Sequence, residues 1–336
     1  MGRNRPGATE ATWIRPILGR ADDMRAEVWL RCDPAAAGVA EADTAAGPLT
    51  VVGTLTGPSC TLAATLPTTA ALADQGAGDG RAPLARGLCT EPGFWTPELP
   101  CLYRAEVELR RGDRVVASGW RHVGLRRAGA RGRSIWLDGR RYVPRGVACD
   151  GSVDDLKSLR SLHAAAVIAG DRLGTAVESA ADRAGVAIVV RVPVPGDGPD
   201  AVGGVAAAIA ERALHPSVLL SILPATLSAD VVAAIARATS QSRGTMLLAT
   251  AVDGRLPPPP LPPGIDVVVV ELPAGGLPHA AWHAGPGLPL VACETGAAAG
   301  PAEARAACDS LQARLADWGS STPGASPVDW AGYLVG

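Results

Sequence analysis

The stretch Ile135-Trp136-Leu137-Asp138-Gly139-Arg140-Arg141-Tyr142-Val143-Pro144-Arg145-Gly146-Val147 marks a change of texture in the chain and decides its fold. Asp138-Gly139 is a dipeptide that tolerates the positive φ of a type I′ turn, so the residues around it read as a small hairpin. From Tyr142 onward, strand-sized apolar runs alternate with helical patterns. The candidate strands are Tyr142–Ala148, Ala165–Ala169, Val186–Val192, Val218–Leu223, Thr245–Ala251, Ile265–Glu271, Leu288–Cys293 and Trp330–Val335. Between them, Val153–His163, Gly174–Ala184, Ala201–Ala213, Ala229–Ser240 and Ala302–Trp318 carry the Ala, Leu, Arg and acid mixture of helices. Repeated strand–helix units imply parallel pairing and right-handed crossovers. Eight such strands in about 200 residues predict a minimal (β/α)8 TIM-type barrel with abbreviated helices.

Two connections break the rhythm. Asp253–Gly264 contains Pro257-Pro258-Pro259-Pro260, which cannot be helical, so a stiff loop replaces the fifth helix. Gly275–Gly287 is likewise rich in Gly and Pro. Upstream of residue 130 the pattern is different: Arg25–Cys32, Leu49–Leu55, Thr61–Leu66, Leu102–Arg110 and Arg114–Arg121 are short β-type segments separated by Gly, Pro and Asp. In Tyr103-Arg104-Ala105-Glu106-Val107-Glu108-Leu109 the apolar residues fall on one face and the charges on the other, as a half-buried antiparallel strand requires. Asp74–Leu88 reads as a loop. The predicted organisation is an extension over 1–22, an antiparallel β-sandwich over 23–128 and a barrel over 129–336.

Composition excludes several function classes. The 336 residues carry 31 Lys+Arg against 33 Asp+Glu, a formal net charge of −2, and the Arg pairs are interleaved with acids or apolar residues, so no nucleic-acid partner is expected. The longest apolar runs are strand-sized, far below the ~18 residues of a membrane span. The segment Met1-Gly2-Arg3-Asn4-Arg5-Pro6-Gly7 has no apolar run behind it, so a cytoplasmic location is expected. Seven cysteines at irregular spacing read as buried reduced thiols. His279 and His283 are four apart, but Pro and Gly flank them and no third ligand is evident, so no metal is expected. No Gly-x-Ser-x-Gly and no phosphate-binding glycine loop occurs, and no cofactor is expected.

At Phe94-Trp95-Thr96-Pro97-Glu98-Leu99-Pro100-Cys101-Leu102-Tyr103 the sequence resembles the family-2 glycoside hydrolases, whose immunoglobulin-like domain carries a Trp-Ser/Thr-Pro-x-x-Pro-x-Leu-Tyr element. The similarity continues in order. Val123-Gly124-Leu125-Arg126 is similar to that family's Phe-Gly-Phe-Arg, and Ile135–Val147 resembles the segment that leads into its barrel. Leu214-His215-Pro216-Ser217-Val218 and Pro289-Leu290-Val291-Ala292-Cys293-Glu294-Thr295-Gly296 resemble the approaches to strands four and seven. The resemblance covers about residue 23 to the end. The family's usual N-terminal jelly-roll domain has no counterpart in these residues.

What the resemblance implies is a retaining glycosidase site, which needs two carboxyls about 5–5.5 Å apart. Glu294 falls at the nucleophile position. The family's acid/base falls on Thr226, beside Ala225, and neither side chain donates a proton at a useful pKa. The family's Asn-Arg-His after the first strand reads Ala148-Cys149-Asp150, and its Asp-Glu at the end of strand three reads Val190-Arg191. Loss of these positions together points to a carbohydrate-related pseudoenzyme, with a small saccharide ligand or a protein partner. The alternative is an active β-glycosidase in which Glu294 remains the nucleophile and Glu271 is a substitute acid. Asp150 and Asp171 near strand ends, with Trp282 and Trp330 as the aromatic residues expected at the mouth, are the candidate sugar-binding residues.

Overall fold

The computed structural model describes residues 10–40, 48–76, 82–193, 201–321 and 328–336. The chain divides into two compact units, one of Met1–Trp95 with Leu99–Leu125 and one of Thr96–Glu98 with Arg126–Gly336. Among the described residues no helix is long and apolar enough to cross a membrane.

The first unit is a curled antiparallel sheet. Its strands are β1 (Ile14–Ala21), β2 (Arg25–Cys32), β3 (Thr50–Ser59), β4 (Thr68–Asp74), β5 (Leu84–Thr90), β6 (Leu102–Arg111) and β7 (Arg114–Val123), in the order β1-β2-β5-β4-β3-β6-β7. β4 pairs with β3 along its length but meets β5 only at Ala73 and Asp74, so the sheet bends there. The two ends of the order return to each other: Ala11 donates to the Trp120 carbonyl at 2.8 Å, and the buried Arg121 guanidinium donates to the Ile14 carbonyl at 3.1 Å. The curl encloses one core of inward positions, among them Ile14, Val28, Leu30, Val51, Leu55, Val107 and Leu109.

Three expectations change here. The stretch taken as an extension supplies β1, an edge strand that accommodates Pro16. Thr61–Leu66 forms no strand, and Leu66 is exposed; the strand is β4 further on. Part of the expected Asp74–Leu88 loop belongs to β5, whose inward positions Ala85, Gly87 and Cys89 are small and give a weak apolar signal; residues 77–81 of that loop lie outside the described residues.

The second unit opens with a three-stranded sheet, β8 (Ala128–Arg131), β9 (Ser134–Leu137) and β10 (Arg140–Tyr142). Asp138 (φ 48°) and Gly139 (φ 74°) adopt the positive-φ pair that the turn needs. A closed barrel follows: β11 (Arg145–Ala148), β12 (Ala165–Ala169), β13 (Ile188–Arg191), β14 (Val218–Leu223), β15 (Leu247–Asp253), β16 (Val267–Pro273), β17 (Leu290–Thr295) and β18 (Trp330–Val335). Every neighbouring pair is parallel, and β18 closes on β11.

The helices are α1 (Val153–Ser161), α2 (Thr175–Ala184), α3 (Ala201–Arg212), α4 (Ala229–Thr239) and α5 (Ala304–Ser321). Ser152 caps α1 and exchanges hydrogen bonds with Asp155, a capping box. No helix stands between β15 and β16, where the proline run lies, and between β16 and β17 there is only a 3-10 turn over Ala280–His283.

Two apolar layers follow from the strand pleat. Small and β-branched residues such as Ala165, Val167, Val189, Ala249, Val269, Val291 and Cys293 fill the barrel interior, and Ile135 of the hairpin packs with them. The alternate strand residues, among them Ile168, Val190, Val270 and Ala292, pack outward with Leu311, Leu315 and Trp318 of α5 and the other helices.

Buried polar groups lock the start of β14. Arg126, 4% exposed, donates to the carbonyls of Pro216 (2.6 Å) and Val218 (2.5 Å) and to the Thr245 hydroxyl (3.2 Å). Burial lowers its guanidinium to about 10, which leaves it charged at neutral pH. The neighbouring His215 holds Asp182 through Nδ1 at 2.7 Å, and the same carboxylate accepts the Ser217 amide at 2.9 Å. The His215-Pro216-Ser217 segment is therefore a structural joint at the amino-terminal end of the barrel.

Candidate functional site

In a barrel of this kind the strand carboxyl ends carry the chemistry. The pleat decides which side chains enter the mouth. Val189, Ala251, Val269 and Val291 face the interior, so Arg191, Asp253, Glu271 and Cys293, each two residues further along its strand, share that face. They meet there. Arg191 donates through Nη2 to the Glu271 carboxylate and through Nη1 to the Cys293 sulfur at 3.3 Å.

Asp253 pairs in register with Glu271 on the adjacent strand, where strand spacing is about 4.8 Å. It is held by its own cation, since Arg255 donates to its two carboxylate oxygens at 3.0 Å from Nε and 2.7 Å from Nη2. These bonds hold the Asp253 carboxyl below its ordinary value. Burial opposes the Arg191 charge, but Cys293 and Glu271 outweigh it and hold that guanidinium above its ordinary value. Burial pushes the Cys293 thiol up, against the pull of Arg191.

Glu294 does not join this group. Ala292 belongs to the outer layer, and Glu294 continues that face. One of its oxygens, Oε1, accepts from Arg314 of α5 at 2.5 Å and from the Gly275 amide at 2.6 Å. The residue is 7% exposed. Glu271 stands opposite Cys293 in the register, and Glu294 opposite Leu272, so the two glutamates lie on opposite faces of neighbouring strands. The structure does not bring them together as a pair.

The other expected residues scatter. Thr226 is exposed in the turn after β14. Asp150, just past β11, is exposed and ion-paired with Arg172 at 2.5 Å. Asp171 is exposed in the turn after β12. Both tryptophans depart from the position expected of them at the mouth. Trp282 is 0% exposed, packs in the outer core, and donates through its indole N–H to the Leu256 carbonyl at 2.9 Å, so no ring face is open to a sugar. Trp330 is the first residue of β18 and so lies at the amino-terminal end of the barrel, where it lines a cavity of about 350 Å³ with Arg141, Arg145, Asp329 and Tyr333.

His279 accepts from the Ala281 amide while His283 stacks on Trp318 with ring centroids 4.2 Å apart, so they do not converge. Among the described residues no group of three or more His, Cys, Asp and Glu is placed to hold a metal ion.

Sequence reading missed Asp253, Arg191, Cys293 and Arg314 as members of these two clusters. The expected strands Thr245–Ala251, Ile265–Glu271 and Leu288–Cys293 begin and end two residues later in the structure, so Asp253 belongs to β15 rather than to the proline-rich loop. Part of a signal was present: Cys293 and Glu294 are adjacent in one strand and must face opposite sides, but a strand that is apolar on both faces does not say which side is inward.

No family model matches the chain, and no curated protein does. Solved structures do. With its curled antiparallel sheet and closed parallel barrel, the chain has a fold like that of solved family-2 glycoside hydrolases. The β-glucuronidase of Ruminococcus gnavus matches over 96% of this chain and 60% of its own, with TM-score 0.64 and 14% identity. The β-glucuronidase of Bifidobacterium dentium, solved with coumarin-3-O-glucuronide, matches over 96% and 59%, with TM-score 0.63 and 14% identity. A glycosyl hydrolase family 2 member from Bacteroides cellulosilyticus matches over 97% and 43%, with TM-score 0.62 and 12% identity. The chain thus spans about half the length of these proteins, and at such identity the likeness is one of fold.

Proposed function

We propose that this chain is a divergent relative of the family-2 glycoside hydrolases, with an immunoglobulin-like sandwich before its barrel, that acts by binding a small saccharide or a protein partner rather than by retaining hydrolysis. The observation that carries this reading is the engagement of Glu294: its carboxylate is tied to Arg314 and the Gly275 amide on the helix-facing side of β17. A retaining nucleophile has to face the sugar in the mouth, about 5–5.5 Å from its acid partner. The carboxylates that do face the mouth, Asp253 and Glu271, are each ion-paired with an arginine. A general acid needs a raised pKa, and Arg255 moves Asp253 the opposite way.

A second reading rests on the Asp253–Glu271 register pair: two inward carboxylates on adjacent strands could serve as a substitute acid and nucleophile. Assay of the purified protein against a panel of 4-nitrophenyl β-glycosides separates the two. We expect no release above buffer. Release that disappears in Glu271→Gln would favour the second reading, and release that disappears in Glu294→Gln would restore the retaining mechanism.

A further inference from the structure

β3 and β6 run antiparallel, and their register ends at Ser59 opposite Leu102. The Ser59 hydroxyl also donates to the Leu102 carbonyl at 3.1 Å, which fixes this last step of the ladder. The next positions outward are Cys60 and Cys101. They lie one step beyond the last registered pair, outside both strands; directly opposed strand residues there would hold their Cα atoms about 4.5–5.5 Å apart, inside the roughly 4.4–6.8 Å that a disulfide spans. The two thiols lie within hydrogen-bonding reach of each other.

Their surroundings are unequal. Cys101 is 5% exposed and wedged against Gly93, where a Cβ would stand 3.3 Å from its sulfur. Cys60 is half-buried, and the Leu62 amide donates to its sulfur at 3.4 Å. Of the seven cysteines, only Cys60 and Cys149 are not buried. The pair therefore joins one thiol that a solute can reach to one that it cannot.

We propose that Cys60 and Cys101 are a redox-responsive pair that a low-molecular-weight disulfide such as oxidised glutathione closes into a disulfide. Cys60 attacks one sulfur of the glutathione disulfide, breaking its S–S bond and releasing one glutathione. Cys101 then attacks the Cys60 sulfur of the mixed disulfide; the Cys60–Cys101 bond forms as the second glutathione leaves. The protein loses two electrons and two protons, and two glutathione thiols gain them. Burial lifts the Cys101 thiol to about 11, which slows its own attack at neutral pH. The bond would tie the end of β3 to the residue before β6 and close a loop of roughly 40 residues, raising the thermal midpoint of the first unit by about 10 °C.

The test is to hold the native protein in oxidised glutathione, alkylate free thiols without reduction, and map the peptides by mass spectrometry. The expected result is a linked Cys60–Cys101 peptide and an intact mass lower by two hydrogens. The link is absent in Cys60→Ser, and Cys101→Ser retains glutathione on Cys60. A wild-type protein that keeps glutathione on Cys60 while Cys101 is alkylated, or in which both thiols are alkylated after prolonged exposure, overturns the proposal.

Discussion

Arg126→Met is expected to lower the free energy of unfolding by about 2–6 kcal/mol, the scale for leaving two buried carbonyls without their charged donor. The guanidinium reaches the Pro216 and Val218 carbonyls and the Thr245 hydroxyl, and Thr245 in turn donates to the Arg126 carbonyl at 3.0 Å. Methionine fills similar volume without any donor, so two carbonyls at the start of β14 lose their charged partner, at about 1–3 kcal/mol each where nothing replaces it. Arg126→Lys keeps the charge but loses the planar fork that serves several acceptors, and should fall between. Urea unfolding followed by circular dichroism reads the loss. A Met variant within about 1 kcal/mol of the parent would mean that water replaces the guanidinium at this joint.

Trp282→Ala carries the second large expectation, about 3–5 kcal/mol, because a fully enclosed indole leaves a cavity that its neighbours only partly fill. Trp282→Phe retains most of the packing and loses the N–H bond to Leu256, at about 1–3 kcal/mol. Saccharide binding, once a ligand is found, should be unchanged in Trp282→Phe. Loss of binding with unchanged stability would instead mark Trp282 as a sugar platform.

The barrel was legible because its signals are local and repeated. Apolar strand runs, helix patterns, the Asp138-Gly139 turn and the proline run that excludes a helix each point to the same architecture. The β unit was less legible. The inward face of β5 is built from Ala85, Gly87 and Cys89, and β1 contains Pro16 and Gly19, so neither shows the β-branched alternation that marks β6.

The site was legible only in part. Glu271 and Glu294 could be placed near strand ends, but their faces depend on the pleat, and the cations that hold them come from β13 and α5, far away in sequence. Trp330 lay outside this logic for another reason: it begins its strand, and the mouth lies where strands end.

Glu294 is tied to Arg314 and the Gly275 amide on the outer face of its strand, and the proposed reading is that it does not act as a nucleophile. The most direct measurement is intact-mass spectrometry after incubation with a panel of 2,4-dinitrophenyl 2-fluoro-glycosides, with Glu294→Gln alongside. Such leaving groups need no general acid, so the nucleophile is tested apart from any proton donor. An unchanged mass across the panel is expected for a protein that remains folded. A single glycosyl adduct on the parent chain that is absent from Glu294→Gln would contradict it.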